Sequence, residues 1–396
     1  MKRRRIYIGA VILTLFPLWS QAQSSMQEAL DEIELNNSFL KSMRDEAEAE
    51  RLANKTNVNL PDPEIGFTHN WYTKGSNLRV KEFSVTQELD WAVITGQRKR
   101  ISRKKNELVE LQYVQDRNGV RLRALQELIS LVHATSWLKE LKSRENDAAT
   151  LAEAYQKMLE SGKTNVIEAN RARLNLVRVA NDVKRAETDR QELLNRLKAL
   201  NGGMELAHVV TEYGNNELPL DFEGWCAEAE NVNPELAYVR QTVKLSQQEL
   251  KQTRTEYIPN LSVGYATEQS PVEGKHALVL GLRIPLWQNH NKLKQSKKAA
   301  VAAESREADT RIQLISEMET CYDKARSLKM VADHYARELE RVDIQAALRS
   351  ALMEGQINVL EYTTELEQYY DAREQALNAE RDYQMAYAAL QAYTWH

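Results

Sequence analysis

Glycine and proline are scarce in this chain, 14 and 8 among 396 residues, and cysteine occurs twice. So few residues suited to sharp turns argue against many short strands and loops. Cys226 and Cys321 lie 95 residues apart, which makes no disulfide framework. Their pairing stays open at this stage, with two free thiols the simpler reading. After residue 22 there is no apolar run of 18 or more residues, so no transmembrane helix is expected. Entry into a membrane would then have to be as a β-barrel. The seven histidines (His69, His133, His208, His276, His290, His334 and His396) form no HxxH or Cys/His cluster. There is no phosphate-cradling glycine loop and no nucleophile–base set. The expectation is therefore no cofactor, no metal site and no enzyme.

At the N-terminus, Lys2, Arg3, Arg4 and Arg5 precede an apolar stretch of 14 residues, Ile6 to Trp19, and then Ser20-Gln21-Ala22. A basic segment, a short apolar segment and small residues at −3 and −1 form a secretory signal peptide, residues 1–22, cleaved after Ala22. The alternative, a membrane anchor, would need about 20 apolar residues. Cleavage removes four positive charges and no negative one, so the net charge of −4 becomes −8. An acidic mature chain argues against a nucleic-acid partner.

What is abundant is Ala, Leu, Glu, Gln, Lys and Arg, the composition of long helices. The chain is also written twice. At an offset of 196, Asn37 matches Asn233, Leu40 matches Leu236, Arg44 matches Arg240, Pro63 matches Pro259 and Trp91 matches Trp287. At an offset of 193, Ala154 matches Ala347, Leu159 Leu352, Gly162 Gly355, Asn165 Asn358, Val166 Val359 and Glu168 Glu361. The reading is a tandem duplication. The first repeat is 23–200, with a β-hairpin at about 63–91 and a tip at about 162–168. A linker follows over 201–232. The second repeat is 233–396, with a hairpin at about 259–287 and a tip at about 355–361.

Each copy reads as helix, hairpin, long helix, tip, helix. A helical pattern from Gln27 to Asn57 ends at Pro61 and Pro63. Ile65, Phe67, His69 and Trp71 then alternate with Gly66, Thr68 and Asn70, a strand period. Lys74-Gly75-Ser76 is a turn, and Phe83, Val85, Gln87, Leu89 and Trp91 form the returning strand. In the second copy, Leu261, Val263 and Tyr265 lead to the turn Pro271-Val272-Glu273-Gly274. Leu278, Leu280, Leu282, Ile284 and Leu286 then make one wholly apolar face. A strand with one apolar and one small or polar face suits a lipid-facing barrel, with Trp71, Trp91, Tyr265 and Trp287 as interfacial aromatics. A soluble sandwich is the competing reading, but two hairpins separated by long helices serve it poorly. Four strands cannot close a barrel, since transmembrane barrels begin at about eight, and open edges are not tolerated in lipid. Several protomers must then share one barrel.

Helical pattern runs from about Gln97 to Glu160 and from about Asn291 to Met353. Seams such as Leu125, Leu128, Ile129 and Val132, or Leu328, Val331, Ala332 and Tyr335, call for coiled-coil packing. Each long helix ends in a tip, Gly162-Lys163-Thr164-Asn165-Val166-Ile167-Glu168 or Gly355-Gln356-Ile357-Asn358-Val359-Leu360-Glu361. Glycine suits the left-handed end of a helix, asparagine the next N-cap, and the glutamate three residues on completes a capping box.

Paired G-x-x-N-V-[IL]-E tips, two Pro-entered hairpins and a signal peptide resemble the TolC-like outer-membrane efflux protein family, over essentially all of residues 25–393. The resemblance implies a mainly α fold with a small β part. Three protomers would build a 12-stranded β-barrel and a 12-helix α-barrel, a passive duct through the outer membrane and periplasm. The tips would close the periplasmic end and meet a periplasmic adaptor, itself linked to an inner-membrane pump. Gly162, Lys163, Thr164, Gly355, Gln356 and Ile357 would then dock the adaptor, while Asn165, Glu168, Asn358 and Glu361 would stand at the entrance. Asn358 departs from the Asp of some members, so any acidic ring is thinner here. Ser84 to Asp90 followed by Gly96 to Arg100 also resembles the metal-cation branch served by resistance–nodulation–division pumps. A duct for type I protein secretion and a soluble periplasmic coiled-coil scaffold remain as alternatives.

Overall fold

The computed structural model describes residues 20–56, 58–71, 79–208, 210–214, 216–341 and 344–396, with side chains from 25 onward. Most of the expected signal peptide and the Lys74-Gly75-Ser76 turn lie outside the described residues. In chain order the elements are α1 (Ser20–Asn36), α2 (Ser38–Ala53), β1 (Glu64–Trp71), β2 (Arg79–Leu89), α3 (Trp91–Ile94), α4 (Gln97–Glu160) and α5 (Val166–Leu200). Then come α6 (Phe222–Val232), α7 (Pro234–Thr255), β3 (Asn260–Gln269), β4 (Gly274–Arg283), α8 (Lys292–Arg341), α9 (Ile344–Met353) and α10 (Val359–Ala392). No described helix is long and apolar enough to cross a membrane.

Several expected boundaries move, each for a local reason. The first helical pattern is two helices broken at Asn37, whose buried amide donates to the Leu200 carbonyl at 2.8 Å. Its repeat partner Asn233 does similar work as the N-cap of α7. The Asn233 Oδ1 accepts from the amides of Glu235 (3.0 Å) and Leu236 (3.1 Å), with Pro234 at the first helical position. The supposed linker 201–232 therefore ends in a helix, α6, which precedes Asn233 as α1 precedes Asn37. The second long helical pattern is α8 and α9, with 342–343 between them outside the described residues. The long α4 keeps its expected bounds, and its 64 residues span about 95 Å.

The chain divides into two compact units. One holds 38–120, 219–323 and 389–396. In it the four strands form one antiparallel sheet in the order β1-β2-β3-β4. Beside it, helices pack in the matching order α2, α4, α7, α8. Asn54 Nδ2 donates to Asn106 Oδ1 at 3.0 Å, joining α2 to α4. Gln241 Nε2 donates to Glu107 Oε2 at 2.5 Å, joining α4 to α7. The Thr253 and Ser296 hydroxyls, 2.9 Å apart, join α7 to α8. A core of Cys226, Ala229, Leu236, Leu314 and Met318 anchors α6 against α7 and α8. Glu230 on α6 accepts from Arg240 Nη2 at 3.1 Å and from Arg311 Nη2 at 3.0 Å, and the Arg311 guanidinium holds its carboxyl below the usual range. Both cysteines are free thiols.

The other unit holds 1–37, 121–218 and 324–388. Its apolar clusters follow the helical seams. Leu141 packs with Val183 and Ala186, and Ala332 packs with Ala379 and Tyr383. Asn201, fully buried, donates to Glu32 Oε1 at 2.9 Å and accepts from Asn36 Nδ2 at 3.0 Å, fixing the end of α5 to α1.

Candidate functional site

The sheet has two faces of different chemistry, set by its register. Across the strands, Leu89 meets Leu261 and Leu261 meets Leu282, while Val263 meets Leu280. Ile65 meets Val85, Val85 meets Tyr265, and Tyr265 meets Leu278; Phe67 meets Phe83. On β2 this face runs from Phe83 to Leu89, six strand steps or about 20 Å, mostly apolar but interrupted by Gln87 opposite Val263 and by Thr267 opposite Phe83, and it is open, with Leu278 and Leu280 both 73% exposed. Toward the hairpin loops it turns polar at Lys81, Gln269 and His276. The opposite face is small and polar: Ser84 meets Ala266, Thr86 meets Gly264, and Ser262 meets Gly281. Gly264 is required there, because a Cβ would come within 2.8 Å of the Val85 carbonyl oxygen. At the strand bases Glu88 Oε1 accepts from Arg283 Nη1 at 2.9 Å and Asn260 Nδ2 at 3.3 Å. Strands β1 and β4 are the two edges, each paired on one side only.

Residues assigned to this face fall in different places. Leu278, Leu280 and Leu282 lie on β4 as expected. Ile284 and Leu286 are exposed but lie past its end at Arg283, because Pro285 has no N–H to continue a ladder. Trp71 ends β1 and is exposed. Tyr265 sits in the middle of β3, its hydroxyl 2.6 Å from His276 Nδ1, and not at a strand end. The expectation that Trp91 finishes a strand is corrected. The strand stops at Leu89, and Asp90 Oδ1 accepts from the Ala92 amide at 2.7 Å, starting the short α3. Trp91 is half-buried there, its indole donating to the Pro259 carbonyl at 2.8 Å. Its repeat partner Trp287 is 82% exposed.

The tips lie in the second unit described. Each long helix ends in the same six-to-one and five-to-two bonds. Lys163 N donates to Met158 O (2.8 Å) and Gly162 N to Leu159 O (3.0 Å); Gln356 N donates to Ala351 O (2.8 Å) and Gly355 N to Leu352 O (3.1 Å). The two glycines have φ of 69° and 73°, where an L side chain is strained. Asn165 Oδ1 then accepts from the amides of Ile167 (2.9 Å) and Glu168 (3.0 Å), and Asn358 Oδ1 from that of Glu361 (2.9 Å). Glu361 closes its box by accepting from the Asn358 amide at 2.9 Å. Glu168 departs from the expectation: its Oε2 accepts from the Val359 amide of the other tip at 3.3 Å, and it pairs with Arg171. The first tip's own box stays open because this carboxylate serves its neighbour. Lys163, Gln356 and the two glycines are exposed, while Thr164 and Ile357 are half-buried.

Sequence reasoning missed how the two helical hairpins are fastened. Arg349 Nη2 meets Asp147 Oδ1 at 2.8 Å, and Arg178 pairs with Glu367. The Arg144 guanidinium stacks 4.0 Å above Tyr370 and donates to its carbonyl at 3.0 Å. Burial lowers the Arg144 pKa and pushes the Tyr370 phenol up to about 12. The signal available was a run of tyrosines, 362, 369 and 370, on a helix otherwise rich in charge. Exposed apolar residues also stand at the tips, among them Val166, Ile167, Met353 and Leu360.

A four-stranded sheet continued by helices in the same order, with two helical hairpins ending in such tips, is the fold of bacterial efflux channels of the TolC-like kind. The channel CusC covers 99% of this chain and 96% of its own at 16% identity and a TM-score of 0.72. The outer membrane protein VceC of Vibrio cholerae covers 95% and 98% at 10% identity and 0.74. The CmeC outer membrane channel of Campylobacter jejuni covers 99% and 92% at 14% identity and 0.69. At these identities the likeness is one of fold. Residues 225–394 match the family described as outer membrane efflux protein, which bears out the resemblance read from the tips and strand entries. No curated protein matches the chain in sequence.

Proposed function

We propose that this chain is the outer-membrane channel of an efflux system. Three protomers share one barrel, and their helical hairpins continue it as a passive duct through the periplasm. A periplasmic adaptor docks at the tips, and an inner-membrane pump, of the resistance–nodulation–division type, drives export. The observation that carries this is the sheet: four strands with two open edges and an exposed apolar face, continued by helices in the same order. An apolar strand face about 20 Å tall is of the size of the outward band of a membrane barrel, about 25 Å. Open edges in lipid require neighbours, and the edges β1 and β4 offer them to each other in a ring.

On this reading the small face of the sheet lines the pore. Asn165, Glu168, Asn358 and Glu361 stand at the entrance, and Gly162, Lys163, Thr164, Gly355, Gln356 and Ile357 meet the adaptor. Residues 1–22 direct export and are cleaved after Ala22, and the corresponding order of elements in 23–200 and 233–396 reflects a duplication. The testing experiment is the mass of the detergent-extracted oligomer together with its conductance in a planar bilayer. A trimer giving steady ion conductance is expected. A protein released from envelopes without detergent that gives no conductance would be a periplasmic scaffold. Within the channel reading, Leu280→Arg should cost about 2–4 kcal/mol if that face meets lipid near the midplane. Normal insertion of that variant would reverse the assignment of the two faces.

A further inference from the structure

Helix starts in this protein differ in charge, and those of α1, α2, α3 and α9 hold no acid in the first turn. The helices α5, α6, α7 and α10 carry an acid in their first turn, Glu168, Glu223, Glu235 and Glu361. That suits the partial positive charge of a helix N-terminus. The two helices that leave the sheet, α4 and α8, carry no acid there. In α4 the first ten residues hold six cations, and the first carboxylate is Glu107. In α8 the first seven hold four cations, and the first carboxylate is Glu304. Both sets run against the helix dipole, at corresponding places in the two halves of the chain.

Two of these cations are answered within the chain: Arg98 pairs with Asp90 and Lys292 with Glu256. Lys99, Arg100 and Arg103 on α4, with Lys294, Lys297 and Lys298 on α8, are exposed and pair with no described carboxylate. With Lys104 and Lys105 behind them on α4, they lie within about 14 Å of helix axis next to the sheet, beyond which the exposed side of α4 turns acidic at Glu107 and Glu110. Such a band has the depth of a bilayer's polar layer, about 5–8 Å on each side, plus the reach of a long side chain. It adjoins, through the strand bases, the face whose apolar rows start at Leu89 and Leu282.

We infer that α4 and α8 present a cationic collar to the phosphate groups of anionic phospholipids, in the leaflet on the helical side of the sheet. The inference rests on the proposed insertion of the sheet into lipid and adds which lipid it selects. Lysine and arginine near an anionic surface gain attraction that salt screens, and an answering phosphate layer would offset the cost of crowding cations at the starts of α4 and α8.

The test is co-flotation of the detergent-purified oligomer after reconstitution with two kinds of vesicle. One is phosphatidylcholine alone; the other is two parts phosphatidylcholine to one part phosphatidylglycerol. Wild type should insert about tenfold better into the anionic vesicles at low salt, an advantage that added salt reduces. Replacing the six cations by Gln should remove the preference while insertion into phosphatidylcholine is kept. Replacing the four lysines among them by Arg should retain it, which separates loss of charge from misfolding. Equal insertion of wild type into both vesicles, or a preference surviving in the Gln variant, would overturn the collar and leave the channel standing. Insertion into neither would overturn the channel reading itself.

Discussion

The two tips share a sequence pattern, a glycine turn and an asparagine cap, yet they are not equivalent. Val359 is fully buried in a cluster with Ala172, Leu352, Tyr362 and Leu366, whereas its counterpart Val166 is 56% exposed. Glu361 closes the cap of its own helix, whereas Glu168 leaves its cap open and holds the amide of Val359. The second tip is therefore fitted into the body of its unit and the first is presented at the surface. A repeated motif fixes the local turn, since the bonds that make it lie within a few residues. The surroundings decide what the turn is used for.

The largest effect expected from this contrast comes from charging the two valines. Val359→Asp should destabilise by about 3–4 kcal/mol, because it places a carboxylate in an apolar cluster. Val166→Asp should stay within about 0.5 kcal/mol. Urea unfolding of the detergent-purified protein, followed by circular dichroism, separates the two, and equal losses would abolish the distinction. Next come the caps. Asn165→Ala and Asn358→Ala should each cost about 1 kcal/mol, with the first the larger because Asn165 Oδ1 accepts from two amides and Asn358 Oδ1 from one. Proteolytic nicking at 162–165 or 355–358 reads this directly.

The smallest effects on stability should come from Glu168→Gln and Glu361→Gln, since an amide oxygen can still accept both bonds. Their use is in sharpening the gate: if Glu361 lines the entrance, its neutralisation should alter single-channel conductance, while an unchanged conductance would leave it a cap alone. Acid tests a different contrast, the sheet-bearing unit against the tips. The pKa of Glu230 is depressed in the fold, so its contribution is present above the unfolded carboxylate value of about 4.3. That contribution is lost as pH falls through the lower folded value. Glu230→Gln should flatten this part of the acid unfolding curve of the α6–α7–α8 core.

What could be read in advance were features carried by neighbours in sequence. The bounds of α4, the alternation in β1 and β4 and the glycine turns all rest on residues a few positions apart. Long-range features were not legible. Nothing in either hairpin announces that β2 pairs with β3, or that Glu168 reaches an amide 191 residues away. Trp91 misled because an aromatic after an alternating run continues the pattern, while Asp90 had already begun a helical turn. The helix α6 went unread because its matching element, α1, is continuous in pattern with α2, and only the buried demand of Asn37 breaks it.

The pairing of β2 with β3 also sets an order in time. Leu89 meets Leu261 and Lys81 meets Gln269, contacts separated by 172 and 188 residues of mostly helical chain. Helices form from local contacts in about a microsecond, whereas pairings of such separation wait on closing a long loop. The first hairpin must therefore persist as an isolated pair, marginal in water, until the second half of the chain has been made. The sheet is the last part of the chain to come together.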